Sequence, residues 1–260
     1  MPIATGTVEL RRERDDPTGV TVLVNGVPSS HLDLADPQRL EFEYMQQMRA
    51  VVELLPAGPV RAVHLGGAGC ALARALDAAR PGSRQLAVEI DPVLAELVRR
   101  WFDLPRSPAL RIRVGDARAE LASLADASAD VVVRDAFADD GTPSHLATRE
   151  FTAQVARVLR PGGVYLANCA DRPPLALARS EAATIADVFE RVAVIAEPGM
   201  LRGRRYGNVV LAATRDEQLL GSPALARALR TQPVPARILL DDEVLAFVGH
   251  AAVRRDPPPD

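Results

Sequence analysis

From residue 60 onward, apolar and polar positions follow one repeating rhythm. Short apolar runs at 61–65, 84–89, 110–114, 129–135 and 163–168 read as strands. Between and after them, apolar residues recur at helical spacing over 70–80, 92–102, 117–124, 144–159 and 174–189. Strand and helix in strict succession predict a parallel sheet covered on both faces, a doubly wound α/β domain. The rhythm then changes. Val192-Ala193-Val194-Ile195-Ala196 and Asn208-Val209-Val210-Leu211-Ala212 are joined by a Gly- and Arg-rich loop with no helical pattern, which predicts an antiparallel pair.

The two ends of the chain differ from this body. Residues 1–36 form a small β-hairpin region: Thr7-Val8-Glu9-Leu10 and Val20-Thr21-Val22-Leu23-Val24 read as strands, with turns at Asp16-Pro17-Thr18-Gly19 and Asn25-Gly26. Asp36-Pro37 predicts the start of a helix, with Leu40, Phe42, Met45, Met48, Val51, Val52 and Leu55 as its apolar stripe. Past residue 215, segments 222–231 and 241–248 read as short helices, and the proline-rich stretch Arg254 to Asp260 reads as disordered. The division is therefore 1–36, 37–215 and 216–260.

In a parallel sheet the carboxyl ends of all strands share one edge, and ligands bind in the crevice there. Four segments of this chain reach that edge: Gly66-Gly67-Ala68-Gly69, Glu89-Ile90-Asp91, Gly115-Asp116-Ala117 and Asp135. Glycines allow close backbone approach to a ligand, and a carboxylate about 20 residues later suits a pair of ribose hydroxyls. The predicted ligand is thus an adenosine-bearing cofactor, lined by Gly66, Gly67, Gly69, Glu89, Ile90, Asp116 and Ala117. Position 72 is Leu, where the dinucleotide fingerprint has its third glycine, and Asp116 adds a carboxylate suited to an adenine amino group. Both favour S-adenosylmethionine-type enzymes over dehydrogenases.

Composition removes several alternatives. All 31 basic residues are Arg, so lysine Schiff bases, a P-loop lysine and a lysine base are excluded. A net charge of −3 gives no nucleic-acid-binding surface. Cys70 and Cys169 form no disulfide framework, and four scattered His residues give no metal-ligand spacing. With no leader-like segment and no run of about 18 apolar residues, the expectation is a cytoplasmic protein with no membrane, nucleic-acid or metal partner.

With these motifs in order, the chain from about Val20 to Ala213 resembles the spermidine synthase family of aminopropyltransferases. The resemblance includes Val22-Leu23-Val24-Asn25-Gly26-Val27, Leu40-Glu41-Phe42-Glu43-Tyr44, the four strand-end segments and Pro143-Ser144-His145-Leu146-Ala147-Thr148-Arg149-Glu150-Phe151. It implies a mostly parallel, seven-stranded sheet of the class I methyltransferase (Rossmann-like) type, assembled as a homodimer. It implies transfer of an aminopropyl group from decarboxylated S-adenosylmethionine to a polyamine. By position, Glu89 would bind the ribose, Asp116 and Ala117 the adenine, and Asp135 with Tyr44 would take the proton from the attacking amine.

This chain departs from that pattern at the substrate end. Gly69 stands where the family carries an aspartate for the aminopropyl ammonium, and Met45 replaces a glutamine. Asp135-Ala136-Phe137-Ala138-Asp139-Asp140 replaces the aspartate-serine-aspartate-proline loop, and Arg202, Arg204 and Arg205 stand near the expected acceptor site. Two further readings follow: methyl transfer from S-adenosylmethionine to an unidentified acceptor, and a nucleotide-binding or scaffold protein without catalysis. Among single residues, Asp91 before Pro92 reads as a helix cap and His64 as core. Tyr44 is open between packing and chemistry, and His145 reads as a first-turn helix residue rather than a base. Asp139 and Asp140 read as a solvated loop.

Overall fold

The structure is a computed structural model that describes residues 1–138 and 141–258. It contains two sheets. The first is antiparallel in chain order: β1 (Pro2–Ile3), β2 (Gly6–Glu13), β3 (Asp16–Val24) and β4 (Val27–Asp33). Asn25 and Gly26 turn between β3 and β4 with φ of 51° and 80°, and the Asn25 side-chain oxygen accepts the Thr7 amide at 2.8 Å. Such φ values are open to glycine and tolerated by asparagine. Asp16–Gly19, expected as a turn, lies inside β3 because β2 and β3 run longer than their apolar residues alone suggest.

The first helix, α1 (Glu43–Val52), begins six residues after Asp36-Pro37 rather than at it. Asp36 forms a local turn by accepting the Gln38 amide, and Arg39 is drawn sideways onto Asp16 and Asp33, each at 2.9 Å. The chain between them therefore cannot wind into a helix.

The second sheet carries the repeating rhythm. Its elements are β5 (Arg61–Leu65), α2 (Ala71–Ala79), β6 (Arg84–Glu89), α3 (Pro92–Trp101), β7 (Leu110–Val114), α4 (Ala117–Ala122), β8 (Ala129–Arg134), α5 (Arg149–Val158), β9 (Leu159–Asp171) and α6 (Ala176–Ala186). They continue through β10 (Arg191–Ala196), α7 (Pro198–Leu201), β11 (Gly207–Thr214), α8 (Pro223–Arg230), β12 (Arg237–Leu239) and α9 (Asp242–Val248). The strand order is β12-β10-β11-β9-β8-β5-β6-β7. Strands β5 to β9 pair in parallel, while β11 runs antiparallel to both β9 and β10. This is the expected doubly wound α/β sheet with its antiparallel pair. The short strand β12, from a segment with no strand signal, adds an eighth by pairing with β10.

Alternation along each strand builds two apolar cores, one on each face. Val131 and Val133 of β8 join one core with α1, α2 and α3, whereas Val132 joins the other with α5 and α6. The 144–159 helix divides at Thr148, whose hydroxyl accepts the Phe151 amide and caps α5 at 3.2 Å; a single tight helical turn, Ser144–Leu146, precedes it. The segment from Arg254 is not loose. Arg254 donates its amide to the Thr184 hydroxyl and its carbonyl accepts the Arg149 amide, while the Asp256 carboxylate accepts from Arg118 and its amide donates to the Glu150 carboxylate. Ion pairs and backbone bonds hold the tail as far as Asp256, against its proline-rich composition. Among the described residues, no helix is long and apolar enough to cross a membrane.

Candidate active site

Strand β5 lies between β8 and β6, so the strand order reverses at its carboxyl end, and a crevice opens there. The turn after β5 is shaped by its neighbours. Gly66 has a φ of 93°, and a Cβ there would lie 2.3 Å from the Asp135 carbonyl oxygen; only glycine lets the two strand ends approach this closely. Gly67 is less constrained, with 3.7 Å to the nearest atoms. Gly69 donates its amide to the Ser30 hydroxyl at 2.9 Å, and a Cβ there would meet Leu32 Cδ1 at 2.7 Å. Strand β4 thus fills the space where a side chain at position 69 would go.

Glu89, at the end of β6, is buried against this turn. One carboxylate oxygen accepts the Ala68 amide at 3.0 Å and the other accepts the Asp91 amide at 3.0 Å. Asp91 caps α3 through the amides of Val93 and Leu94 and also accepts the Thr5 amide from the turn between β1 and β2, so its capping role stands. Beside these polar groups, Ile90, Val114 and Phe137 are exposed by 58%, 47% and 44%, each at or just past a strand's carboxyl end. Exposed apolar side chains at strand ends offer surface that a flat ring could cover.

Asp116 follows β7 and caps α4, accepting the Ala119 amide at 2.9 Å; its other oxygen meets His145 Nε2 at 2.9 Å. Burial raises its carboxyl, but the Ala119 amide and His145 outweigh that and hold it below the usual range. Ala117 is buried at the first position of α4. His145 therefore belongs to the Asp116 end, in the tight turn before α5. His64 is core, bonded to Gln85 at 2.9 Å, with its pKa pushed down to about 4 by burial. Cys70 is buried and its thiol is pushed up to about 12.

At the other end, Asp135 receives two neutral donors. Tyr44 Oη donates to Oδ2 at 2.9 Å and Asn168 Nδ2 donates to Oδ1 at 2.9 Å. Burial raises the Asp135 carboxyl above its ordinary value, against the two hydrogen bonds and the charge of Arg134. Tyr44 is held well above its usual range by burial and by the Asp135 charge, so it stays a hydrogen-bond donor. The network extends from Asn168 to Asn208 at 3.2 Å and from Asn208 to Glu43 at 3.5 Å. Asn168, Asn208 and Glu43 did not stand out in the sequence. The first two lie within apolar strands, where a single polar residue aimed at a strand end was the available signal.

The arginine loop lies before β11. Arg202 and Arg204 are exposed, and Arg205 turns back onto Glu197 at 2.6 Å. Asp139 and Asp140 lie outside the described residues. Among the described residues, Asp16, His31 and Glu41 are the one group placed as metal ligands could be, a juxtaposition that sequence spacing did not suggest. The Arg39 guanidinium already binds both carboxylates at 2.9 Å.

A doubly wound sheet with a glycine turn at its switch point and carboxylates after the next two strands defines a protein of the class I methyltransferase fold. Residues 63–167 match the family model described as a methyltransferase domain. Over 207 residues the chain is 32% identical to the polyamine aminopropyltransferase of Vibrio vulnificus, covering 78% of this chain and 68% of that one. A crystal structure described as a probable spermidine synthase from Corynebacterium glutamicum superposes with a TM-score of 0.93 at 40% identity, over 100% of this chain and 96% of that one. Human methyltransferase-like protein 13, solved in complex with SAH, matches with a TM-score of 0.58 at 27% identity, over 73% and 93% of the two chains. The chain belongs to the spermidine synthase-like, polyamine aminopropyltransferase family.

Proposed function

We propose that the protein transfers an aminopropyl group from decarboxylated S-adenosylmethionine to a cationic amine, with a polyamine as the acceptor class. One observation carries this reading: Asp135, partly buried and held by the Tyr44 hydroxyl and the Asn168 amide, stands just past the end of β8, beside the glycine turn. An amine must be neutral to attack the carbon beside a sulfonium. As the new N–C bond forms, the C–S bond breaks, its electrons return to sulfur, and methylthioadenosine leaves. The proton released from the amine goes to Asp135, an effect worth about 10²–10⁴-fold in rate. Glu89 would hold the ribose hydroxyls, Asp116 and Ala117 the adenine edge, and Ile90 one face of the ring.

A second reading is favoured by the packing at Gly69. Ser30 and Leu32 occupy the space of the family's aspartate, so the glycine turn offers no carboxylate to an aminopropyl ammonium. Intact S-adenosylmethionine and methyl transfer fit that neutral wall. The two readings leave different products. Incubating the protein with decarboxylated S-adenosylmethionine and putrescine, then resolving nucleosides by mass spectrometry, gives methylthioadenosine for aminopropyl transfer. Tighter binding of intact S-adenosylmethionine than of its decarboxylated form, read by calorimetry, with no methylthioadenosine formed, favours methyl transfer.

A further inference from the structure

Arg134 is the last residue of β8, a central strand, and is fully buried, 1% exposed. A charge buried there is unfavourable unless its partners are well placed. Its guanidinium touches three separate elements. One terminal nitrogen donates to the Asn168 carbonyl at 3.0 Å and to the Glu181 carboxylate of α6; the other donates to the Leu146 carbonyl at 3.3 Å. Glu181 is itself buried, 3% exposed.

These partners have more than packing in common. Asn168 is the residue whose side chain holds Asp135 Oδ1, and Leu146 follows His145, the partner of Asp116. Arg134 precedes Asp135 directly in the chain. We infer that Arg134 and Glu181 form a positioning pair: Arg134 fixes Asn168 and the 144–146 turn against the two ends of the crevice and sets the charge state of Asp135, while Glu181 sets how much of the Arg134 charge Asp135 feels. Apart from this pair, the ionisable groups around Asp135 among the described residues are Tyr44 from α1 and, beyond Asn208, Glu43. Around Arg134 they are Glu181 from α6 and Tyr165 and Cys169 from β9. Arg134 is the one cation in this set.

For its effect on rate the inference rests on Asp135 as proton acceptor; for the charge state it rests on the bonds that run from Arg134 through Asn168 to Asp135 and on the attraction of the Arg134 charge for that carboxylate. The direct readout is therefore titration of the Asp135 carboxyl by ¹³C NMR, its signal assigned by loss in Asp135→Asn. Arg134→Met leaves Glu181 uncompensated and should raise the Asp135 titration by about one pH unit or more. Glu181→Gln should lower it, and Arg134→Lys should hold it near the wild-type value while slowing turnover, because an ammonium cannot span all three partners. Where a single variant fails to fold, the Arg134→Met/Glu181→Met double variant removes both charges. Its titration should fall between wild type and Arg134→Met. Shifts in the same direction for both single variants, or a double variant titrating as wild type does, would reduce the pair to scaffolding. Loss of transfer activity in wild-type protein would overturn the proposed function without touching this titration.

Discussion

Tyr44 and Asp135, 91 residues apart in the chain, meet at 2.9 Å through a hydroxyl-to-carboxylate hydrogen bond. The bond joins the first helix to the end of the fourth strand of the main sheet. The carboxylate it holds is partly buried, and desolvation raises its pKa. If Asp135 accepts the amine proton, Asp135→Asn should lower turnover by about 10²-fold or more. Binding of methylthioadenosine, read by calorimetry, should be unchanged. Since the wild-type carboxyl must be ionised to act, activity should rise with pH through a value above the ordinary carboxylate range. A rate profile that is flat there, or full turnover in the asparagine variant, places the base elsewhere.

Glu89 faces the glycine turn and is bonded to it, so its loss has two effects. Glu89→Ala should weaken nucleoside binding by about 1.5–3 kcal/mol if it holds the ribose. It should also lower thermal stability, because the amides of Ala68 and Asp91 lose their acceptor. Glu89→Gln keeps an acceptor but not the charge, and should recover much of the stability with little of the affinity. Wild-type affinity in either variant would put the ribose somewhere else.

Restoring the family's aspartate at position 69 would be expected, from sequence, to recover binding of the decarboxylated co-substrate. The packing reverses that expectation. A side chain there meets Leu32 Cδ1 at 2.7 Å and Ser30 Cβ at 2.8 Å. Overpacking of this kind costs about 1–3 kcal/mol, so Gly69→Asp should lose stability in thermal denaturation and gain no affinity. Combining it with Leu32→Ala should return part of the lost stability. A gain in affinity from the single substitution would show that β4 moves aside.

Arg39 gathers Asp16, Asp33 and Glu41 beneath the first sheet. Burial pushes the Asp33 carboxyl up, but the Asp36 amide, Arg39 and the Ala35 amide prevail and hold it well below the usual range. A carboxylate with a depressed folded pKa contributes stability above its unfolded value of about 3.9, and that contribution is lost as the pH falls below it. Arg39→Gln should therefore melt lower than wild type near neutral pH, with the gap closing in acid. A gap that stays constant across the pH range would mean the guanidinium acts by packing alone.

Much of this architecture was readable from the chain. Val131, Val132 and Val133 form a run with no alternation, the signature of a strand buried on both faces, and the structure places them in two cores. Asp91-Pro92 reads as a cap because proline at the first helical position and an acidic acceptor before it are local chemistry. The start of α1 was not readable, since what pulls Arg39 away is a carboxylate on another strand. Gly69 was visible as a departure, but not its cause, because Ser30 and Leu32 reach it only through the fold. Arg134 looked like an ordinary strand terminus. Its partners lie 12, 34 and 47 residues away, and no spacing rule connects them.

The segment 254–256 binds Thr184 of α6 and Glu150 of α5 and closes on Arg118, in the first turn of α4. That turn carries Asp116 and Ala117, the wall expected to meet adenine. Residues 254–256 therefore brace from behind the end of the crevice where Asp116 stands, as a guy-line braces a mast. A version of the protein shortened to its parallel core would keep every residue of the crevice and yet hold one side of it slack.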